Sequence, residues 1–244
     1  MVFAKERRVK LKSEIKSGFI KTLDFFLPRF CTGCDNKLSV EENFLCDSCF
    51  EDLEYLTDRQ LFNYFDEFFP PGSPVNAFYS ILPYDIYLPA RKIVHALKYE
   101  GRVQFSKLIA KIIVSSKYFE SYYSENSILI PIPLNKVKKI ERGFNQTELI
   151  CKEISKLTGI EVSSSVLLRN KFTDTQTKKT KEARILNLAN AFTIADKKAN
   201  IIQNREVIVF DDVITTGATI NAAAAVLGKY SNEPVKALSF AVTL

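Results

Sequence analysis

The sequence has no apolar run of the ~18 residues that a membrane-crossing helix needs. Its 244 residues contain one histidine and no tryptophan. The only candidate leader, GFIKTLDFFL, is broken by Lys21 and Asp24, so no secretory signal is read. A cytoplasmic location, where thiols stay reduced, is the expectation. The lone histidine, His95, lies between Ile93 and Leu97 on a helical face and reads as structural.

Charge is not scarce but unevenly placed. The net charge is +6, and residues 1–21 carry seven Lys/Arg against two Glu. Residues 41–69 carry nine acids against Arg59 alone. Further basic runs lie at Lys136, Lys138, Lys139 and Arg142, and from Arg169 to Arg184. One-sign blocks mark solvated faces or interaction surfaces. Leu11, Ile15, Phe19, Leu23 and Phe26 recur at helical spacing among lysines. That pattern predicts a basic amphipathic segment over 1–27, docking on the chain's own core or making peripheral contact with an anionic membrane surface.

Four of the five cysteines stand in FCTGCDNKLSVEENFLCDSCF as Cys31, Cys34, Cys46 and Cys49, two C-x2-C knuckles. Two intervening residues let a tight turn aim both thiolates at one tetrahedral centre. In a reducing compartment a metal explains the set better than disulfides do. Four thiolates favour Zn2+, with iron as competitor, and a metal-free or redox-active pair as the remaining alternatives. A site with all four positions taken by protein is structural, and it would fold a zinc finger over 28–52. The fifth, Cys151, falls on the apolar face of NQTELICKEISKL and reads as buried.

After the finger comes an acidic, aromatic stretch that ends in PPGSP at Pro70–Pro74, so 53–75 reads as a connector. From about Asn76 strands and helices alternate. AFYSILPY, SILIPIP, VSSSVLLR, EVIVFDD and VKALSFAVTL read as strands. LPARKIVHALKYEG, VQFSKLIAKIIVSSKYF, GFNQTELICKEISKLTG and GATINAAAAVLGKY read as helices, with a helix-to-strand passage in KEARILNLANAF. The pattern predicts an α/β fold over 76–244, a mostly parallel sheet with helices on both faces. Ligands in such sheets sit beyond the carboxyl ends of the strands.

VIVFDDVITTGAT, Val207–Thr219, ends such a strand with two carboxylates before a turn into a helix. A helix N-terminus offers unpaired N–H groups and a partial positive charge. Threonine hydroxyls and a glycine that admits close backbone approach can cradle a phosphate there. Asp211 and Asp212 suit a sugar's vicinal hydroxyls, and Thr215–Thr219 suit its 5′-phosphate. This stretch resembles the signature of type I phosphoribosyltransferases over all thirteen positions. The resemblance implies that Asp211 and Asp212 hold the ribose of 5-phosphoribosyl pyrophosphate (PRPP). It likewise implies that Thr215, Thr216, Gly217, Ala218 and Thr219 hold the 5′-phosphate, with Mg2+ accompanying the ligand.

Other segments narrow the resemblance to the ComF family. Pro131–Leu149, PIPLNKVKKIERGFNQTEL, is similar to that family's P-x-P-L…R-G-F-N-Q block, with Arg142 and Gly143 able to face a pyrophosphate before a helix that Gly143 opens. Leu27-Pro28-Arg29-Phe30 precedes the first knuckle, and Leu97-Lys98-Tyr99-x-Gly101 closes a helix. Asp174-Thr175-Gln176-Thr177 precedes Arg184-x-x-Asn187-x-x-x-x-Phe192. The loop here reads TDTQTKKTK where family members carry prolines and Gly-Leu. Lys178, Lys179 and Lys181 read as a solvated loop, as a lid meeting departing pyrophosphate, or as part of a basic track for single-stranded DNA. Tyr118, Phe119, Tyr122 and Tyr123 read as packing rather than base-stacking residues.

The resemblance implies a fold of the type I phosphoribosyltransferase kind and a role in DNA uptake during natural transformation, with PRPP, single-stranded DNA and other competence proteins as partners. The alternative is an active phosphoribosyltransferase that moves ribose 5-phosphate onto an amine or base. Met1 and Val2 stand where a glutamine amidotransferase has its nucleophilic cysteine, and only 25 residues follow the signature. An acceptor pocket is therefore expected from the segment before Asn76 or from a partner.

Overall fold

The computed structural model describes residues 26–85, 89–170, 191–195 and 197–243. Lys178, Lys179, Lys181 and all but the last two residues of the 1–27 segment lie outside the described residues. The chain divides into two compact units, Met1–Leu53 and Glu54–Leu244.

The first unit has little core of its own: Cys31, Leu38, Leu45 and Leu53 are its buried apolar residues among those described. Its first knuckle closes through Cys31 N–H to Asn36 O (2.8 Å) and Asp35 N–H to Cys31 O (2.9 Å). The Arg29 guanidinium ties the intervening loop by donating to Glu42 O and Ser39 O. The second knuckle starts helix α1 (Asp47–Glu51), capped by the Cys46 sulfur, which accepts the Cys49 N–H.

The second unit begins with α2 (Asp58–Phe68), inside the stretch that reads as a connector. Thr57 and Gln60 form a reciprocal capping box at its start, an arrangement worth about 1 kcal/mol. Its last turn brings Phe68 and Phe69 into the core. Then follow β1 (Val75–Pro83), α3 (Pro89–Tyr99), α4 (Phe105–Ser115), α5 (Phe119–Tyr122), β2 (Ser127–Pro131), α6 (Lys136–Arg142) and α7 (Gln146–Thr158). The remaining elements are β3 (Glu161–Val162), β4 (Leu167–Arg169), β5 (Phe192–Ile194), β6 (Glu206–Ile214), α8 (Ala218–Leu227) and β7 (Val235–Val242).

Five strands form one sheet in the order β1-β7-β6-β2-β3, and every pairing in it is parallel. Strands β4 and β5 pair antiparallel in a separate ladder. The stretch VSSSVLLR, expected as one strand, is thus two, with β3 on the sheet edge and β4 in the ladder. The run Val103–Phe119, expected as one helix, stops at Ser115. There Ser116 turns extended and its hydroxyl donates back to Ile113 O, a local bond that competes with the helix.

Side-chain alternation sorts the core into two faces. Val207 and Val209 of β6 pack in one cluster with Phe68, Ile220, Ala224 and the β4–β5 ladder. Ile208 and Phe210, fully buried, point to the other face, the one left to α3, α4 and α7. Tyr122 belongs to the packing, as its hydroxyl donates to Ala237 O at 2.7 Å. Burial pushes that phenol well above its ordinary value.

Candidate functional site

Strand β6 does not stop at Phe210 but runs on to Ile214. Asp211 and Asp212 are therefore successive strand residues, with carboxyl groups close enough to hydrogen-bond each other. Together with Val213, Ile214 and the loop Thr215–Ile220, Asp211 lines a small pocket of about 30 Å3. Thr215 and Thr216 are exposed at its mouth, and Gly217 is buried at its base.

Gly217 caps α8 with φ 68° and ψ −11°. A Cβ there would stand 2.7 Å from Phe68 Cβ and 3.0 Å from Phe68 O. Both the left-handed backbone and the closeness of α2 require glycine at this position. Asn221, one turn into α8, fixes the arrangement. Its amide donates to Phe68 O (2.7 Å) and Gly217 O (3.2 Å), and its Oδ1 accepts the Ser73 hydroxyl (2.7 Å). The segment before Asn76 thus forms the back of the loop.

Asp212 is 3% exposed. Its Oδ2 lies 2.7 Å from the Lys98 Nζ of α3, and its Oδ1 accepts the Val213 N–H at 3.0 Å. The Asp212 N–H in turn donates to Asp211 Oδ1 at 2.9 Å. Burial alone would lower the Lys98 ammonium, but the Asp212 charge and hydrogen bond, with Asp211 and Tyr84 beyond, raise it overall. Asp211 goes the opposite way from a usual ion-paired carboxylate. Burial first, and the neighbouring Asp212 charge second, push it up to about 8 against the pull of Lys98.

A carboxyl with a raised native value holds its proton when the unfolded chain has already lost it. It adds stability at low pH, and that contribution is lost as pH rises through about 8. Urea unfolding at pH 6 and pH 9 should show wild type losing stability relative to Asp211→Asn over that interval. Parallel behaviour of the two proteins would show that Asp211 titrates normally.

Sequence reasoning passes over Lys98 as a site residue, yet its position carries a signal. In α3 the buried stripe is Ala90, Ile93, Val94 and Leu97, and Lys98 follows Val94 by four, on the edge of that stripe. A lysine placed there calls for a buried counter-ion.

Gly143 ends a helix rather than opening one. At φ 77° it caps α6, whose first turn is capped by Asn135, and α7 begins at Gln146. Helix α6 has no buried residue, so Lys136, Lys138 and Lys139 face solvent beside the exposed Val137 and Ile140. Arg142 at its end donates to Gln146 Oε1 (3.1 Å) and lies 5.0 Å over the Tyr99 ring. This brings it to the end of α3 from which Lys98 reaches Asp212. Thr147 and Asn145 hold the intervening turn by donating to Ile132 O. Arg169 of β4 contributes a second cation near Asp211. Burial lowers it and the Asp211 charge partly restores it.

The segment before Asn76 also lines a cavity of about 560 Å3, with Tyr55, Thr57, Asp58, Tyr79, Ser116 and Tyr118 in its wall. No residue of that wall lines the pocket at the Thr215–Ile220 loop.

In the first unit, the sulfurs of Cys31, Cys34, Cys46 and Cys49 all lie within 4.8 Å of one another. Cys34 and Cys46 are 3.8 Å apart, close to the edge, about 3.8 Å, of a tetrahedron with metal–sulfur bonds of about 2.3 Å. Gly33 and Cys46 both donate backbone N–H groups to Cys31 Sγ at 3.3 Å. Burial would raise the Cys31 thiol, but backbone donors outweigh it and hold the group at about 7. The four cysteines are positioned to bind one metal ion.

No family model matches the chain. It is 36% identical over 108 residues to competence protein F of Haemophilus influenzae, covering 44% of this chain and 47% of the relative. It is 35% identical over 110 residues to competence protein ComFC of Bacillus subtilis, covering 45% and 42%. It is 26% identical over 142 residues to DNA utilization protein YhgH of Escherichia coli, covering 57% and 61%. The chain thus spans about half the length of the curated relatives it matches. Among solved structures, 57% of the chain aligns with 26% of glutamine PRPP amidotransferase from B. subtilis, at 15% identity and a TM-score of 0.37. It aligns to the same extent with 25% of an allosteric regulatory enzyme of purine biosynthesis, at 15% identity and a TM-score of 0.35.

Proposed function

For a chain that belongs to the ComF family, we propose a role in DNA uptake in which the second unit binds PRPP or a related ribose 5-phosphate and the protein handles single-stranded DNA. One observation carries the ligand reading. Asp211 and the Thr215–Thr219 loop line a single pocket at the N-terminus of α8. An acceptor for sugar hydroxyls and a phosphate cradle are thereby set one turn apart. Mg2+ would come with the ligand and would offset the charge of its phosphate oxygens. Arg142, and in sequence Lys178, Lys179 and Lys181, are the cations assigned to the pyrophosphate. The four-thiolate cluster holds a structural Zn2+. For DNA, the support is the names of the relatives, the solvent-facing Lys136, Lys138 and Lys139, and the Arg142–Tyr99 stack.

Calorimetry with Mg2+-PRPP on the full chain tests the ligand reading. Wild type should bind, ribose 5-phosphate should compete, and Thr216→Val with Thr219→Val should weaken both. Absence of binding by wild type rejects the site. Single-stranded DNA binding should weaken as salt rises. Lys136→Ala, Lys138→Ala and Lys139→Ala should each flatten that salt dependence, by a slope of about 0.7 for every phosphate left without its lysine. No binding at low salt rejects the DNA role.

A further inference from the structure

We propose that the cavity of about 560 Å3 beside strand β1 is a nucleobase site, holding one unpaired base of a free nucleotide or of a single strand. Its volume falls in the range of small-molecule sites, about 300–1,000 Å3. The strand half of the inference rests on the single-stranded DNA reading above. Neither half uses the ribose-phosphate pocket, with which the cavity shares no wall residue.

Three pieces of the second unit build the wall. Tyr79 and Ile81 stand two apart on the edge strand β1 and so share a face. The Leu56 N–H donates to Ile81 O at 3.0 Å, which lays the start of α2, with Tyr55 and Asp58, along that edge. The turn from α4 into α5 adds Ser116, Lys117 and Tyr118. Tyr79 and Tyr118 meet edge to face, their centroids 6.3 Å apart at 77°. A flat ring that stacks on one of them offers its rim to the other, as paired aromatics prefer.

The polar groups decide which flat ligand fits. The hydroxyls of Thr57 and Ser116 are already engaged, with Gln60 Oε1 and Ile113 O. Those of Tyr55 and Tyr79 make no hydrogen bond among the described residues, although Tyr79 is only 7% exposed. A buried tyrosine hydroxyl ordinarily has a partner, so a ligand in the cavity would supply it. Burial first, and Tyr79 second, raise the Tyr55 phenol, which keeps it a donor. Asp58 accepts the Tyr118 hydroxyl on Oδ2 at 3.0 Å, and its Oδ1 is left for a second donor. Lys117 lies 4.6 Å over the Tyr118 ring and 2.7 Å from its hydroxyl. The ring that an organic cation would seek thus already has its cation. A hydrocarbon would leave the two phenols and the carboxylate unpaired. A nucleobase answers all of them, with ring acceptors for the phenols and an N–H for Asp58. Lys117 is at hand for the phosphate beside it.

The test uses the full chain and 2-aminopurine, a base whose fluorescence falls when it stacks. The probe is used free, as its uncharged deoxynucleoside, and as the single purine within an oligodeoxythymidine strand. Wild type should quench at least one of the two. Quenching of the nucleoside, unchanged by salt, assigns the cavity to free nucleotides as well; quenching of the strand alone assigns it to DNA. Tyr55→Ala should weaken the quenched complex about 5- to 150-fold, the loss of one stacked base. Tyr55→Phe and Asp58→Asn should each cost about 2- to 10-fold. Tyr55 is 40% exposed, so its loss should leave denaturant unfolding and Mg2+-PRPP affinity near wild type. Tyr230→Ala, at an exposed tyrosine outside the wall, should change nothing. Quenching that Tyr55→Ala leaves intact overturns the proposal, as does displacement of the probe by tetramethylammonium. No quenching of either probe also overturns it, and the DNA reading survives if wild type still binds the strand. A quenched nucleoside with no strand binding rejects the DNA reading and keeps the base site.

Discussion

Stripping the metal from the full chain with a strong chelator is expected to make about four of the five thiols reactive towards a colorimetric reagent, while Cys151 stays silent until the second unit unfolds. The expected effect is large because the described residues of the first unit include only a few buried apolar side chains. Structural zinc in such small modules supplies about 10–16 kcal/mol of apparent binding free energy at neutral pH. Without it the thiolates repel one another, and the knuckles are left to the hydrogen bonds around Cys31 and Cys46. Cys46→Ser should reproduce the chelator's effect. Cys46 is one of the four clustered sulfurs, caps α1 and donates its N–H to Cys31 Sγ. Elemental analysis should give about one zinc per chain before chelation. Four thiols that react at once in the untreated protein would reject the metal site. Crowding also matters, since a Cβ on Gly33 would lie 2.8 Å from Cys49 Sγ. Gly33→Ala should therefore weaken the metal without removing a ligand.

Gly217→Ala is the second large effect expected, and it should act on both binding and stability. The left-handed conformation at φ 68° costs an alanine about 1–2 kcal/mol. The clash with Phe68 Cβ and O comes on top, and neither atom can swing away because the Phe68 carbonyl is held by Asn221. The loop must then shift, and the first N–H groups of α8 shift with it. PRPP affinity should fall by more than about a hundredfold, given that a misplacement of about 1 Å already costs that much in a preorganised site. Gly72→Ala is the control. Gly72 has φ 87° but open space around it, so its loss should equal the backbone strain alone and leave affinity unchanged. Equal effects at the two positions would mean that the contact with α2 is unimportant.

The central strands are legible in the sequence because buried parallel strands read as continuous apolar runs, and SILIP and VIVF are such runs. The cysteine set is legible because knuckle spacing suits few chemistries besides metal binding. Three features are not. Two acids after Phe210 look like the close of a strand. Strand β6 in fact continues through them, and Asp212 finds its counter-ion in Lys98 of α3. The connector reading of 53–75 weighs acidity and aromatics over pattern. Thr57-x-x-Gln60 is a capping box in plain view, and the core contacts of Phe68 and Phe69 are a tertiary matter that composition does not report. Gly143 reads as opening a helix because α6, with no buried face, has no periodicity to find. The Lys98–Asp212 pair joins residues far apart in sequence, and only the α3 stripe hints at it.

The hold of Asn221 on Phe68 and Ser73 has a practical side for anyone dividing this chain. A fragment started at Asn76, where alternation of strands and helices begins in the sequence, would lose the residues that back the Gly217 turn. It would keep every position of the VIVFDDVITTGAT signature and still lack the wall that gives the loop its shape. A cut before Glu54 keeps that wall, so the sheet and the segment ahead of it should be moved, swapped or trimmed as one piece.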